Sequence, residues 1–117
     1  MPTFIAENLV DSQQVSVELL APPSSPRLPA FLAYFHAAMV ESLRSVDASA
    51  GHAVWAPGCL DHTGNLRFHG SGNATLVGGW SFRDALNAWW VGDAAVPRVL
   101  IDACTGPIPC NPTCTYQ

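Results

Sequence analysis

The chain has 117 residues, of which 49% are hydrophobic and 12% are charged. This is enough apolar sequence for one core and too little for two domains, so we expect one domain or part of one. Five arginines and no lysine stand against nine acidic residues, and the net charge of −4 argues against nucleic-acid binding. No apolar run reaches the roughly 20 residues that span a bilayer. The first residues lack the basic-then-apolar pattern of a signal peptide.

The first half of the chain reads as a strand, a helix and a second strand. The run from Thr3 to Val10 is apolar at most positions and predicts a mostly buried strand that stops at Asp11. His52 to Ala56 is the second strand. A right-handed crossover would make the two strands parallel, so the predicted fold class is α/β with a βαβ unit. Between them, apolar residues at spacings of three and four predict a helix from Pro29 onward: Leu32, Phe35, Met39, Leu43 and Val46.

Asp11 and His62 follow the ends of these strands and are the candidate catalytic residues. Asp11 comes directly after the first strand, and His62 opens a turn after the second. Because parallel strands end at the same edge of a sheet, we expect both residues at the edge where open α/β sheets hold their sites. The order of acid and then histidine is also that of α/β-hydrolases. Taken singly, Asp11 is typical of a helix cap and His62 of a surface loop.

The second half begins with an irregular, glycine-rich stretch that runs to Gly79. It contains neither of the glycine motifs that cradle phosphates, and we expect no cofactor. Trp80 to Trp90 predicts a helix with Ser81 at its N-cap and Asp84 as the reciprocal partner. We interpret the aromatic residues of this helix as core, with carbohydrate stacking as the less favoured alternative. Val99 to Asp102 predicts a last short strand.

The cysteines indicate a C-terminal tail that is tied down by disulfides, because three of the four lie in the last fourteen residues among prolines. The alternative is a zinc site, since a cysteine and His62 form a C-x2-H pair. The tail spacings are not the paired C-x2-C type, and we predict no metal. Asn73 begins a glycosylation sequon, which together with disulfides is typical of the secretory pathway. A secreted chemistry without a signal peptide suggests a missing N-terminus. The four cysteines are Cys59, Cys104, Cys110 and Cys114.

Three blocks of the chain, in order and over nearly its whole length, resemble one known family. They are Pro2-Thr3-Phe4-Ile5 running to Asp11 and Gln14; Cys59-Leu60-Asp61-His62; and Leu100-Ile101-Asp102-Ala103-Cys104 through Cys110-Asn111-Pro112-Thr113-Cys114. Together they look like the C-terminal part of the pectin acetylesterase family, which also contains the Wnt-deacylating carboxylesterase Notum.

The resemblance implies a secreted serine esterase of α/β-hydrolase-like fold that removes acyl groups from oxygen. In such an enzyme Asp11 would be the triad acid and His62 the general base, while the four cysteines would be structural. The implied partner is an ester substrate, either an acetylated polysaccharide or an acylated protein.

The chain departs from this family because none of its nine serines stands in a nucleophile elbow of the G-x-S-x-G type. We therefore expect residues 1–117 to be the C-terminal part of one such domain, without esterase turnover of its own. Two other classes stay open, a disulfide-stabilised binding module that folds alone and a zinc-binding domain. A module with parallel strands would need both faces of its sheet covered, which one good helix and one short helix hardly provide.

Overall fold

The computed structural model describes residues 1–19, 24–66 and 74–115. None of the helices in these ranges is long and apolar enough to cross a membrane. The described helices are α1 (Ser12–Leu19), α2 (Leu28–Arg44) and α3 (Phe82–Val91), with short 3-10 turns at Ala48–Ala50 and Gly64–Leu66. The described strands are β1 (Phe4–Ala6), β2 (Ala53–Ala56), β3 (Leu76–Val77), β4 (Trp80–Ser81) and β5 (Val99–Ile101).

Three of the strands form a small parallel sheet in the order β1-β2-β5. Phe4 of β1 is paired with Ala53 of β2, and Val54 of β2 with Val99 of β5. The α/β class and the predicted parallel pair are therefore confirmed, and the predicted last strand joins the same sheet. All three strands direct their carboxyl ends to one edge, which is where open α/β sheets hold their sites.

Helices cover both faces of this sheet, because successive side chains of a strand point to opposite sides. On one face, Trp55 and Leu100 pack in a cluster with residues of α3. On the other, Val54 and Ile101 pack with Leu43 of α2. Burying the strands from both sides is what a parallel sheet requires. From the sequence we expected the helices of a self-contained module to leave one face of its sheet uncovered. In the described residues both faces are covered.

The predicted helix starts are close to the observed ones. Helix α2 begins at Leu28, with Pro29 in its first turn, where the missing N–H of proline costs nothing. Helix α3 begins after Ser81, whose hydroxyl accepts the Asp84 N–H while the Asp84 carboxylate accepts the Ser81 N–H. The predicted capping box is thus confirmed. It fixes the start of α3 directly after β4.

Two predictions about strands were wrong in extent. The glycine-rich stretch is not wholly irregular, because it contains β3, which forms an antiparallel hairpin with β4; β4 takes the first two residues of the predicted helix, Trp80 and Ser81. Gly78 and Gly79 make its turn with φ of 57° and 87°, a conformation that glycine adopts without steric cost. The first strand is also shorter than predicted: β1 ends at Ala6, and the chain onward to Val10 pairs with its neighbour irregularly.

Candidate active site at the carboxyl edge of the sheet

Backbone pairing continues past the ends of β1 and β2 and brings the two candidate residues together. The Leu9 N–H donates to the Pro57 carbonyl at 2.9 Å, and an isolated parallel bridge joins Val10 to Leu60. The Asp61 N–H then donates to the Val10 carbonyl at 3.2 Å. Asp11 and His62 each follow directly on these bonded residues. Their proximity is therefore set by main-chain register.

Asp11 and His62 form a hydrogen-bonded pair, with 2.8 Å between Asp11 Oδ2 and His62 Nδ1. The other carboxylate oxygen, Oδ1, accepts the N–H groups of Gln13 at 2.8 Å and Gln14 at 3.0 Å. Asp11 is thus both the cap of α1 and the partner of the histidine. The sequence left open whether Asp11 caps a helix or acts together with His62. In the structure, one oxygen of its side chain caps α1 and the other binds His62.

The hydrogen bonds around Asp11 hold it in its charged form. Burial by itself would raise the pKa of this carboxyl, but hydrogen bonds from the Gln14 N–H, the His62 ring and the Gln13 N–H outweigh burial and lower the pKa. Glu7 shows the opposite effect nearby. Burial and the negative charge of Asp11 raise the pKa of the Glu7 carboxyl, against smaller opposing contributions from His62 and an N–H of Asn8. Asp11 is therefore the more acidic of these two carboxyls.

The pairing with Asp11 orients the imidazole of His62. When Nδ1 donates to the carboxylate, a neutral ring carries its lone pair on Nε2, the nitrogen that a general base uses. The Asp11 side chain is 9% exposed and the His62 side chain 52% exposed, so the acid is covered while the ring is open to solvent. An open depression of about 380 Å³ adjoins the pair, and it is lined by Asp11, Gln13, Gln14, Val17, Glu18 and His62.

The loop that carries His62 is held on both sides of the histidine. Cys59 is bonded to Cys114, and the Asp61 carboxylate accepts the Asn65 N–H at 2.9 Å. The main chain of His62 itself is contacted by the Asn8 side chain, whose Nδ2 donates to the His62 carbonyl at 3.3 Å. His62 therefore lies on a loop that is tethered before and after the histidine.

The long disulfide ties the tail to the loop after β2 and the short disulfide closes a loop within the tail, which confirms the prediction that disulfides hold the tail. The long disulfide joins Cys59 to Cys114 across 55 residues, and the short disulfide joins Cys104 to Cys110 across 6 residues. The C-x2-H pair therefore has its sulfur in a disulfide and its Nδ1 on a carboxylate. Within the described ranges, no group of three or more His, Cys, Asp or Glu side chains is arranged to hold a metal ion.

Asp102 and Asn111 anchor this tail, a function that the sequence did not reveal. Asp102 Oδ2 accepts the Gly58 N–H at 3.0 Å and also accepts from Asn111 Nδ2. The Gly58 carbonyl in turn accepts the N–H groups of Cys110 at 3.0 Å and Asn111 at 3.3 Å. Gly58 lies so close to the short disulfide that a Cβ there would overlap the sulfurs of Cys104 and Cys110. The tail thus packs directly on the segment that leads to His62.

The remaining residues that the sequence singled out serve packing, with one exception. Trp89 donates from Nε1 to the Gly51 carbonyl at 2.8 Å, and its ring centroid is 5.6 Å from that of Phe4. Trp89 is therefore a partly buried residue that packs against β1, so the interpretation of the helix aromatics as core holds for it only in part. Trp90 is 79% exposed and contributes little to that core. The candidate glycosylation residue Asn73 lies outside the described residues.

Asn8 and Glu7 are the residues near the pair that the sequence analysis missed. Both lie in the run that was interpreted as a mostly apolar strand, and Asn8 is completely buried. The available signal was two adjacent polar residues inside an apolar segment, three and four positions before Asp11.

Comparisons with protein-family models, with curated proteins and with solved structures find no match.

Proposed function

We propose that this chain supplies the acid and base of a serine carboxylic ester hydrolase that resembles the pectin acetylesterase family. The observation that carries the proposal is the 2.8 Å contact between Asp11 Oδ2 and His62 Nδ1 at the carboxyl edge of a parallel sheet. A buried carboxylate bonded to Nδ1 of a solvent-open imidazole is the arrangement that serine hydrolases use to activate a hydroxyl. The chain's own sequence has no G-x-S-x-G turn, so the nucleophile would come from residues outside these 117.

In the proposed reaction, His62 Nε2 takes the serine proton as the serine oxygen bonds to the acyl carbon. The bond from that carbon to the alcohol oxygen then breaks, and Nε2 returns the proton to the departing alcohol. Water repeats both steps on the acyl-enzyme and releases the carboxylic acid. Asp11 keeps the ring in the Nδ1–H tautomer and stabilises the imidazolium that forms between the two proton transfers.

The two disulfides support the proposal of a secreted enzyme, because such bonds form and persist mainly in oxidising compartments. The proposed substrate is an O-acetyl or O-acyl ester on a polysaccharide or a protein, the two kinds of substrate that the family resemblance implies. The alcohol portion would leave from the His62 side of the site.

The decisive test is to read the coding sequence upstream of Met1 in frame and to express the longer product. We expect a serine in an elbow of the G-x-S-x-G type and hydrolysis of p-nitrophenyl acetate by the longer product, with no turnover by residues 1–117 alone. His62→Ala should abolish that activity, and Asp11→Asn should lower kcat by a factor on the order of 10⁴, as the same change does in the triad of a serine protease.

Asp61→Asn is the matched control, because Asp61 belongs to the same loop but bonds the Asn65 N–H and not the imidazole. It should retain activity within about tenfold, since it weakens one turn without touching the tautomer. An in-frame stop just before Met1, or a longer product whose activity survives His62→Ala, would refute the catalytic proposal.

A free-standing binding module is the second candidate. Coverage of both sheet faces by α2 and α3 favours it, because that coverage lets the parallel sheet bury its strands within this chain. A cooperative unfolding transition of residues 1–117, together with the in-frame stop, would favour the module over the esterase.

A further inference from the structure

We infer that Asn8 is a positioning residue for His62: it fixes the main chain of the histidine while Asp11 fixes its ring. The inference rests on the proposed function, because it concerns how the proposed base is held. Asn8 and Asp11 lie three positions apart in the segment that continues β1 toward the edge of the sheet. One segment therefore holds His62 at two points.

The contact is specific to His62 itself. Asn8 is fully buried, and its Nδ2 donates to the His62 carbonyl at 3.3 Å. The opposite orientation of the amide would place its oxygen against that carbonyl, so the donor assignment follows from the partner. The other tethers of the loop, the long disulfide and the bond from the Asn65 N–H to Asp61, hold residues on either side of the histidine.

Asn8 is a poor choice for packing alone. Its Oδ1 is buried and has no hydrogen-bond partner among the described residues, which opposes stability. The next two residues, Leu9 and Val10, are completely buried core residues. A leucine at position 8 has a comparable size and would remove the unpaired oxygen. The bond to His62 is the gain that asparagine provides over leucine there.

Asn111 offers a matched control for this argument. It is also buried, at 6% exposed, and its Nδ2 also donates to a main-chain carbonyl, that of Leu76, at 2.7 Å. Its Oδ1, however, accepts from the Thr113 N–H at 2.7 Å, so its amide is bonded at both ends. Its side-chain hydrogen bonds within the described part of the chain go to Leu76, Asp102 and Thr113, and not to His62. Replacement by leucine should therefore act differently at positions 8 and 111.

The experiment measures the His62 tautomer in the 117-residue chain by two-bond ¹H–¹⁵N correlation spectra, at a pH where the ring is neutral. Asn8→Leu should lower the ratio of the Nδ1–H to the Nε2–H form by about two- to twelvefold, the factor that corresponds to one neutral hydrogen bond. Its thermal midpoint should stay unchanged or rise. Asn111→Leu should lower the thermal midpoint and change the ratio in the folded molecule less than Asn8→Leu does, because Asn111 reaches His62 only through Asp102 and Gly58.

Asn8→Ala provides a second variant in case leucine disturbs folding, and it should lower the same ratio because it also lacks the donor. An unchanged ratio in folded Asn8→Leu or Asn8→Ala protein would overturn the inference and leave Asn8 a structural residue. In the longer product, Asn8→Leu should lower kcat and leave KM unchanged. A shifted tautomer ratio in a longer product that hydrolyses no ester would refute the proposed function while leaving the positioning role intact.

Discussion

Asp11 should tolerate asparagine structurally and still lose its effect on His62. Its two oxygens act separately, since Oδ1 accepts the N–H groups of Gln13 and Gln14 and Oδ2 binds His62 Nδ1. Asparagine caps helices about as well as aspartate, and its oxygen can retain the two N–H bonds. Its nitrogen would then face His62 and donate to Nδ1. Asp11→Asn should therefore convert the ring to the Nε2–H tautomer, which has no free lone pair for a proton.

Asp11→Ala removes both the cap of α1 and the bond to His62, so its loss of stability is the reference for that of Asp11→Asn. Loss of an N-cap costs about 0.5–2 kcal/mol, and loss of a hydrogen bond that involves a charged group costs about 1.5–3 kcal/mol when it is buried. Because the ring of His62 is half exposed, the second contribution should fall near or below the lower limit. We expect Asp11→Ala to lose about 2 kcal/mol of the free energy of unfolding and Asp11→Asn less than about 1 kcal/mol.

The assay combines urea unfolding with ¹⁵N spectra of the imidazole for the native chain and the two variants. Asp61→Asn serves as the control again, since its carboxylate does not touch the ring. Retention of the Nδ1–H tautomer in Asp11→Asn would refute the assignment of Oδ2 to His62. A loss of stability in Asp11→Asn as large as that in Asp11→Ala would refute the division of the carboxylate into a capping oxygen and a histidine-binding oxygen.

Three further predictions concern stability. Because the folded pKa of Asp11 is lowered from its ordinary value of 3.8, its contribution is present above that value and is lost as the pH falls through the folded pKa. The urea midpoint of the native chain should accordingly decrease more between pH 6 and pH 3 than that of Asp11→Asn. Replacing both cysteines of the long disulfide by serine should lower the free energy of unfolding by about 4 kcal/mol, and the same change in the short disulfide should lower it by about 2 kcal/mol, because the longer loop restricts the unfolded chain more. Equal losses in denaturant titrations would contradict this dependence on loop length. Gly58→Ala should cost about 1–3 kcal/mol, because its methyl group would overlap the sulfurs of the short disulfide, and a thermal midpoint equal to that of the native chain would contradict this packing.

The sequence was sufficient to predict the parallel strands and the meeting of Asp11 and His62, because both depend on local patterns. The helix that joins the strands shows a 3.6-residue repeat, and a right-handed crossover leaves both strand ends at one edge. Ser81 and Asp84 were recognisable as a capping box for the same reason, since both bonds lie within four residues. Patterns of this length are set by the backbone geometry of a single element.

Contacts between distant segments could not be predicted in this way unless, like that of Asp11 with His62, they follow from strand ends that share one edge of the sheet. The hydrogen bond from Asn8 to His62 spans 54 residues, and the bond from Gly58 to Asp102 spans 44 residues. No periodicity connects such positions, so Asn8 looked like an irregularity in a strand and Asp102 like the end of one. The hairpin of β3 and β4 was different, because the Gly78-Gly79 dipeptide is a recognised turn signal, although here it stands at the end of a longer glycine-rich stretch.

The tail matters to the site because it holds the segment that sets the register between Asp11 and His62. Ala6 pairs with Trp55, an offset of 49, whereas Val10 pairs with Leu60, an offset of 50, so one extra residue is inserted between these pairs on the β2 side. The insertion falls around Gly58, whose N–H binds Asp102 and whose carbonyl binds the backbone of Cys110. Without it, His62 would lie one residue, about 3.3 Å, farther along the strand direction from its partner carboxylate, beyond direct hydrogen-bond distance. The disulfide-tied tail, although remote in sequence from Asp11 and His62, therefore helps to fix the distance between them.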